Sequence, residues 1–284
     1  MITKVPKLTS NEKIKLIFVS KLTQLKITFL GTGTSQGIPV IGSKHPVCLS
    51  NNKKDKRLRV SILIELDECT YVIDCGPDFR YQMLRANCHK IDALIFTHEH
   101  ADHVAGFDDI RPYCFRQGAL PIYAHNRVIN SLHERFAYVF ETKNRYPGAP
   151  SVKTIVVKNE PFILNNVTVT PINAYHNKLQ VFGYRFHNFA YLTDVKTIEI
   201  EEINKLKNLE VIVVSALRIE PHHSHFNLEE ALALIATVKP KKAYLTHISH
   251  ALGFHDDVEK TLPQNVYLAY DNLQIEIKPK DYEK

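Results

Sequence analysis

Tryptophan is absent from this 284-residue chain, methionine occurs twice, and only 10 residues are glycine. No low-complexity tract is present, and 44% hydrophobic with 23% charged residues is the composition of a folded globular domain, not of a disordered tail or a fibre. Long apolar runs are missing too: nothing approaches the roughly 18 consecutive apolar residues that span a bilayer. The N-terminal run Leu16-Ile17-Phe18-Val19 is shorter than a signal core of about 7–15 residues, and no small-residue cleavage site follows it. The expectation is therefore a cytoplasmic protein without a membrane partner. The five cysteines (Cys48, Cys69, Cys75, Cys88 and Cys114) are odd in number and form no Cys-x-x-Cys pair. That argues against a disulfide framework and fits a reducing compartment.

The formal charge of +6 suggests nucleic acid until it is located. Residues 1–24 carry five lysines and one glutamate, which leaves 31 basic and 29 acidic groups over the rest of the chain. Residues 1–24 thus read as a mobile basic appendage, and residues 25–284 as one nearly neutral domain. Nucleic acid stays open as a partner but is not favoured.

Strand patterns begin at Leu25–Leu30 and recur at Val60–Leu66, Thr70–Ile73, Ala93–Phe96, Ile122–Ala124, Val167–Ile172, Val181–Phe186, Phe189–Leu192, Val211–Val214, Ala243–Leu245 and Val266–Leu268. Helical patterns fit Asp78–Asn87, Arg127–Ala137, Thr197–Leu206 and Leu228–Val238, the last with Asn227 as its N-cap. Strands first in hairpin-like groups and then alternating with helices, twice over, predict a layered α/β fold. Glu141–Pro150, rich in Lys, Asn, Arg, Pro and Gly, reads as a loop. The turn Gly31-Thr32-Gly33-Thr34-Ser35-Gln36-Gly37 is neither G-x-G-x-x-G nor a P-loop, so it is expected to be a tight strand-end turn.

Fifteen histidines are unusual, and they cluster. Ala93-Leu94-Ile95-Phe96-Thr97 leads into His98, Ala190-Tyr191-Leu192-Thr193 into Asp194, and Ala243-Tyr244-Leu245-Thr246 into His247. Each is an apolar strand delivering a metal-ligating side chain past its C-terminal end, where sites assemble in α/β sheets. In His98-Glu99-His100 the two imidazoles lie two residues apart in extended chain and face one side. Asp102 and His103 follow where the chain turns into a helix, so four ligands within six residues suit two metals better than one. With His176, Asp194 and His247 there are seven ligands, enough for two divalent ions, zinc or manganese, that share Asp194 and keep a position for water.

Thr97-His98-Glu99-His100-Ala101-Asp102-His103 resembles the signature of the metallo-β-lactamase superfamily, and His176, Asp194 and His247 follow in that family's order. The resemblance spans about residues 25–278. It implies an αββα four-layer sandwich with His98, His100 and His176 on one metal, Asp102, His103 and His247 on the other, and Asp194 bridging. The finer resemblance is to the phosphoribosyl cyclic phosphate phosphodiesterase branch, which implies hydrolysis of a small phosphodiester, Asp102 and His225 as catalytic residues with His225 protonating the leaving oxygen, and a homodimer. That branch also has a cysteine-rich structural zinc site, whose positions fall here on Ser43, His45, Cys48 and His250. Serine departs from the pattern, which leaves His45, Cys48 and His250 as ligands for an additional zinc. Asp74, at the end of Tyr71-Val72-Ile73, is expected to orient a ligand imidazole from outside the ligand set. Arg80, Asp109 and Arg111 lie near the matched motifs as candidate substrate-side residues. On the same fold, a tRNA-processing endonuclease or a thioester or lactone hydrolase is the alternative, although no long basic arm for gripping RNA is visible.

Overall fold

The computed structural model describes residues 24–280, so the N-terminal appendage read from residues 1–24 lies, but for its last residue, outside the described residues. The first half of the chain supplies β1 (Leu25–Gly31), β2 (Ser61–Leu66), β3 (Cys69–Ile73), β4 (Ala93–Ile95), β5 (Leu120–Ala124) and β6 (Val152–Val156). The second half supplies β7 (Phe162–Leu164), β8 (Val167–His176), β9 (Leu179–Phe186), β10 (Phe189–Leu192), β11 (Val211–Ser215), β12 (Lys242–Thr246) and β13 (Val266–Leu268). Finally β14 (Gln274–Ile277) returns to pair antiparallel with β1. The result is two seven-stranded mixed sheets, ordered β14-β1-β2-β3-β4-β5-β6 and β13-β12-β11-β10-β9-β8-β7.

Alternation along the strands sorts the side chains into layers. Ile62 and Ile64, Tyr71 and Ile73, Phe182 and Tyr184, and Val211 and Val213 meet between the sheets in one buried cluster. Their neighbours Leu63, Val72 and Leu94 face outward and pack under Phe79, Met83, Val104 and Phe107 from the helical segments of the first half. In the second sheet Ala190, Leu192, Ile212, Val214 and Leu245 turn outward to meet Leu234 and Ile235 of the helix Leu228–Val238. Strands covered on both faces need apolar residues at every position, which is why Val211–Val214 reads as an unbroken apolar run. Each such side chain contributes about 1.5–3 kcal/mol by leaving water. The αββα sandwich expected from the sequence is the fold observed.

Helix Leu228–Val238 occupies the residues its pattern predicts, with a full capping box: the Asn227 side chain accepts from Glu230 N, and the Glu230 carboxylate accepts from Asn227 N. The other helices are shorter than their patterns, at Phe79–Arg85, Asn126–Arg135 and Ile200–Asn204. Pro161, just before β7, and the partly exposed positions of β6 and β7 hid those edge strands from a reading based on apolar alternation. Strand β8 runs four residues past its predicted end, which carries it to His176.

The glycine-rich turn after β1 is a clamp, not a cradle for phosphate. A Cβ on Gly31 would sit 2.0 Å from the Arg59 carbonyl oxygen, so only glycine allows that approach. Beyond it, Thr34 N donates to Ile248 O at 3.0 Å and Ile248 N to Thr32 O at 2.9 Å. The first sheet is thereby stitched to the residue that follows His247.

Candidate metal centre

Strands β3 and β4 run parallel, β10, β11 and β12 run parallel, and β8 is two antiparallel steps from β10. The C-terminal ends of all six therefore open on one edge of the sandwich. Asp74 leaves β3 there, His98 follows β4, His176 ends β8, Asp194 follows β10, and His247 follows β12. Asp74, Asp194 and His247 each adopt a left-handed backbone, with φ of 65°, 56° and 54°. A non-glycine residue in that region costs free energy and persists only where its surroundings fix it, here at three strand ends that aim a polar side chain inward. His98 and His100 use an extended stretch instead, and Asp102 and His103 lie in the short helix Ala101–Val104 that follows.

These side chains converge. The Nε2 of His103 lies 3.2 Å from Asp102 Oδ2 and 3.2 Å from Asp194 Oδ2, while His247 Nε2 lies 3.2 Å from Asp194 Oδ1 and 3.7 Å from Asp102 Oδ2. His98 Nε2 and His100 Nδ1 are 3.0 Å apart, and the His100 and His176 rings are 5.1 Å apart. The donor atoms of Asp102, His103 and His247 form one group within 4.8 Å of one another, as do those of His98, His103 and Asp194. All seven sequence-predicted ligands line this edge. His225 joins them: its Nδ1 is 3.5 Å from Asp194 Oδ1, and it forms a third group with His176 and Asp194. The structure thus sets His225 against the ligand cluster itself.

Neighbouring groups fix the rings. Asp74, fully buried, accepts from Thr97 N at 2.9 Å and Thr97 Oγ1 at 2.8 Å, and its Oδ2 meets His103 Nδ1 at 2.7 Å. Asp74 thus stands against the ring of His103, on the side away from Asp102 and Asp194. His176 Nδ1 donates to Ser224 O at 2.6 Å, which leaves Nε2 for a ligand. Thr193 Oγ1 donates to Asp194 Oδ2 at 2.7 Å. Thr97 and Thr193 were not picked as functional residues, although a threonine precedes the ligand in all three strand-end segments and was the signal for them.

The electrostatics suit a cation. Burial pushes His98 well below the usual imidazole range, and the charge of His103 pushes it further, so it presents a neutral ring. Burial would also depress His103, but the carboxylates of Asp102, Asp194 and Asp74 outweigh it and raise it well above that range. Burial opposes ionisation of Asp194 too, yet His247 and His103 hold it well below the carboxylate range. Three carboxylates thus converge on one imidazole out of reach of water. His103 Nε2 and both ring nitrogens of His247 are buried without a hydrogen-bond partner. Such orphaned nitrogens beside ionised carboxylates fit divalent ions that take nitrogen and oxygen ligands, zinc and manganese among them.

The candidate structural site is looser. The His45 and His250 rings meet edge to face at 4.8 Å, and His250 Nδ1 is buried without a partner. His45 Nδ1 accepts from Val47 N at 3.3 Å as a helix cap, and Cys48 packs with Ile38 and Val47. His45, Cys48 and His250 are not among the groups whose donor atoms close to within 4.8 Å. Arg111 is paired with Asp108 at 2.5 Å, and Asp108 also accepts from Tyr138 Oη. Of the remaining loop histidines, His223 is exposed, whereas His222 is half-buried with Nδ1 accepting from Ser224 N at 3.3 Å.

Among the described residues no helix is long and apolar enough to cross a membrane. The sequence profile of the Beta-lactamase superfamily domain matches residues 70–248. The chain is 39% identical over 259 residues to an octanoyltransferase of Porphyromonas gingivalis, covering 90% of this chain and 52% of that protein. It is 27% identical over 187 residues to ribonuclease Z of Bacillus subtilis, covering 63% of this chain and 54% of that enzyme. The chain therefore spans about half the length of each of these relatives. A solved diphosphatase from the PhnP family superimposes with a TM-score of 0.85 at 36% identity, over 90% of this chain and 98% of that one. With all seven ligand positions inside the matched segment, the chain belongs to the metallo-β-lactamase superfamily of hydrolases.

Proposed function

We propose that the protein is a phosphodiesterase acting on a small phosphodiester at a dinuclear metal site. The observation that carries this reading is that Asp194 reaches both ligand sets: its carboxylate lies 3.2 Å from His103 Nε2 and 3.2 Å from His247 Nε2, and it groups within 4.8 Å with the donor atoms of His98 and of His176. His98, His100 and His176 would hold one cation, Asp102, His103 and His247 the other, with Asp194 shared. When bound, such cations supply Lewis acidity: they neutralise phosphoryl charge and lower the pKa of water so that a nucleophile exists near neutral pH.

The mouth of the site favours an anion over an acyl chain. A cavity of about 450 Å³ opens there, lined by His100, His176, Asn177, Lys178, His223 and Ser224 with Leu179 as its one aliphatic wall. That volume suits a small molecule, and its cationic and amide groups suit a phosphate. The 36% identity to a diphosphatase over nearly its whole length points the same way. Water attacks phosphorus in line, and the bond to the leaving oxygen breaks as the bond to water forms. His225 turns Nδ1 toward Asp194, leaving Nε2 to give its proton to the departing alkoxide, a step worth about 10²–10⁴-fold. Burial, then the charge of His247, depresses His225 to about 2; the negative charge of a phosphodiester acts in the opposite direction.

A substrate panel tests the reading: a ribose cyclic phosphate, a precursor tRNA and an octanoyl thioester, each with metal-loaded protein. The proposal expects turnover of the cyclic phosphate to exceed both others by at least tenfold. Preference for the precursor tRNA would move the protein to the ribonuclease reading that its relative in Bacillus subtilis supports. Preference for the thioester would support acyl chemistry, which is the sense of the name of its relative in Porphyromonas gingivalis.

A further inference from the structure

We infer that Arg127 is a positioning residue for one of the two cations, because it ties the two chain segments that carry His98, His100 and His176. Arg127 sits in the first turn of the helix Asn126–Arg135, which begins beyond β5. One arm of its guanidinium pairs with Glu99 Oε1, and the other donates to Gln180 O at 2.5 Å. Glu99 lies between His98 and His100 in extended chain, so its side chain points opposite to theirs and anchors that stretch from behind. Gln180 adjoins Leu179, the residue paired with His176 across the β8–β9 hairpin. One planar cation thus sets the separation between the His98-Glu99-His100 run and the strand pair that holds His176.

The pair is also one that the protein cannot loosen cheaply. Glu99 Oε2 is buried without a hydrogen-bond partner, so Arg127 supplies the countercharge to a carboxylate that is largely out of water. Taking that cation away leaves an uncompensated carboxylate, which relaxes by moving toward solvent and carrying its neighbours with it. Both neighbours are metal ligands. The set Asp102, His103 and His247 has its own support in Asp74 and in the stitch between Thr34 and Ile248, neither of which involves Arg127. Arg127 should therefore act on one cation and spare the other. Lysine at this position keeps the charge but cannot reach both partners with one planar fork.

This inference rests on the two-cation reading above. The test is a zinc titration of chelator-stripped protein, with bound metal counted by elemental analysis, on wild type, Arg127→Gln, Arg127→Lys, Asp102→Ala and the double variant Asp102→Ala/Arg127→Gln. Wild type should bind two zinc ions per chain, and Asp102→Ala should retain one tightly. Arg127→Gln should weaken one ion by about 10–100-fold, the range usual for a group that orients a ligand, and leave the other unchanged. In the Asp102→Ala background the same change should weaken the ion that remains, and Arg127→Lys should fall between Gln and wild type. Thermal melts of the stripped proteins should show each variant folding cooperatively, with Arg127→Gln melting a few degrees below wild type because Glu99 loses its countercharge. Two ions bound by Arg127→Gln as tightly as by wild type would overturn the inference, and so would equal weakening of both. A wild type that binds a single ion would overturn the two-cation reading, and this inference with it.

Discussion

The Asp74 carboxylate and the His103 imidazole meet at 2.7 Å with both side chains fully buried. Asp74 takes the Nδ1 side of that ring, so Nε2 is directed at Asp102 and Asp194. Asparagine tolerates the left-handed backbone of position 74 but loses one of the acceptors that Thr97 and His103 use. Asp74→Asn should lower zinc affinity about 10–100-fold while the far-ultraviolet dichroism stays unchanged. Competition against a chromophoric chelator measures it, and unaltered affinity would remove Asp74 from the account.

Loaded and stripped protein should differ in stability, because the orphaned nitrogens of His103 and His247 gain partners only from a ligand. Metal at about 100 times its Kd adds about 2.7 kcal/mol, which for a domain of this size raises Tm by about 5–10 °C. Differential scanning calorimetry with and without zinc checks this. An identical Tm would mean that the cluster does not hold metal tightly.

The turn Asp74-Cys75-Gly76 packs directly on the metal run. Cys75 N donates to His103 O at 2.7 Å, and a Cβ on Gly76 would lie 2.0 Å from the Asp102 carbonyl oxygen. Gly76→Ala must therefore displace Asp102 and should cost both stability, by about 1–3 kcal/mol, and metal affinity. Urea unfolding of stripped protein separates the two effects. A stable variant with full affinity would contradict the contact.

His255 predicts a pH dependence of folding outside the candidate metal centre. Its ring is buried with Nδ1 3.1 Å from Arg57 Nη2; Lys54, Asp55 and Asp256 are the other charges acting on it, and the Tyr270 ring is 5.8 Å away. Burial, then the charge of Arg57, lowers it from 6.5 to about 4. The unfolded chain thus takes up the proton first as pH falls. The contribution of neutral His255 is complete above about pH 6.5 and is lost as pH falls through about 4, with a slope of up to about 1.4 kcal/mol per pH unit. His255→Asn should flatten the stability curve in that window by about one proton, read from urea midpoints between pH 4 and 7. Parallel curves would show that His255 is not held neutral.

How much of this was legible in the sequence follows from how local each signal is. Ligands after an apolar strand and a threonine show up as a repeated segment, so His98, Asp194 and His247 were readable, and the dense run gave His100, Asp102 and His103. Glu99 and Arg127 were not, because their pairing joins positions 28 residues apart and depends on where the β5 helix docks. The edge strands Val152–Val156 and Phe162–Leu164 escaped for a related reason. Partly exposed strands need no strict apolar alternation, and their pairing partners decide them. The degenerate motif at His45, Cys48 and His250 was read by alignment to a pattern. Here His45 caps a helix and Cys48 packs in a small apolar cluster, contacts that spacing alone does not reveal.

The most direct test of the central claim is hydrolysis of bis(p-nitrophenyl) phosphate by chelator-stripped protein, before and after manganese or zinc is restored, with Asp102→Ala alongside. The account predicts no turnover when stripped, turnover on restoring metal, and loss of at least 10²-fold in Asp102→Ala. Turnover that persists in the stripped protein, or that survives in Asp102→Ala at the wild-type rate, would contradict it.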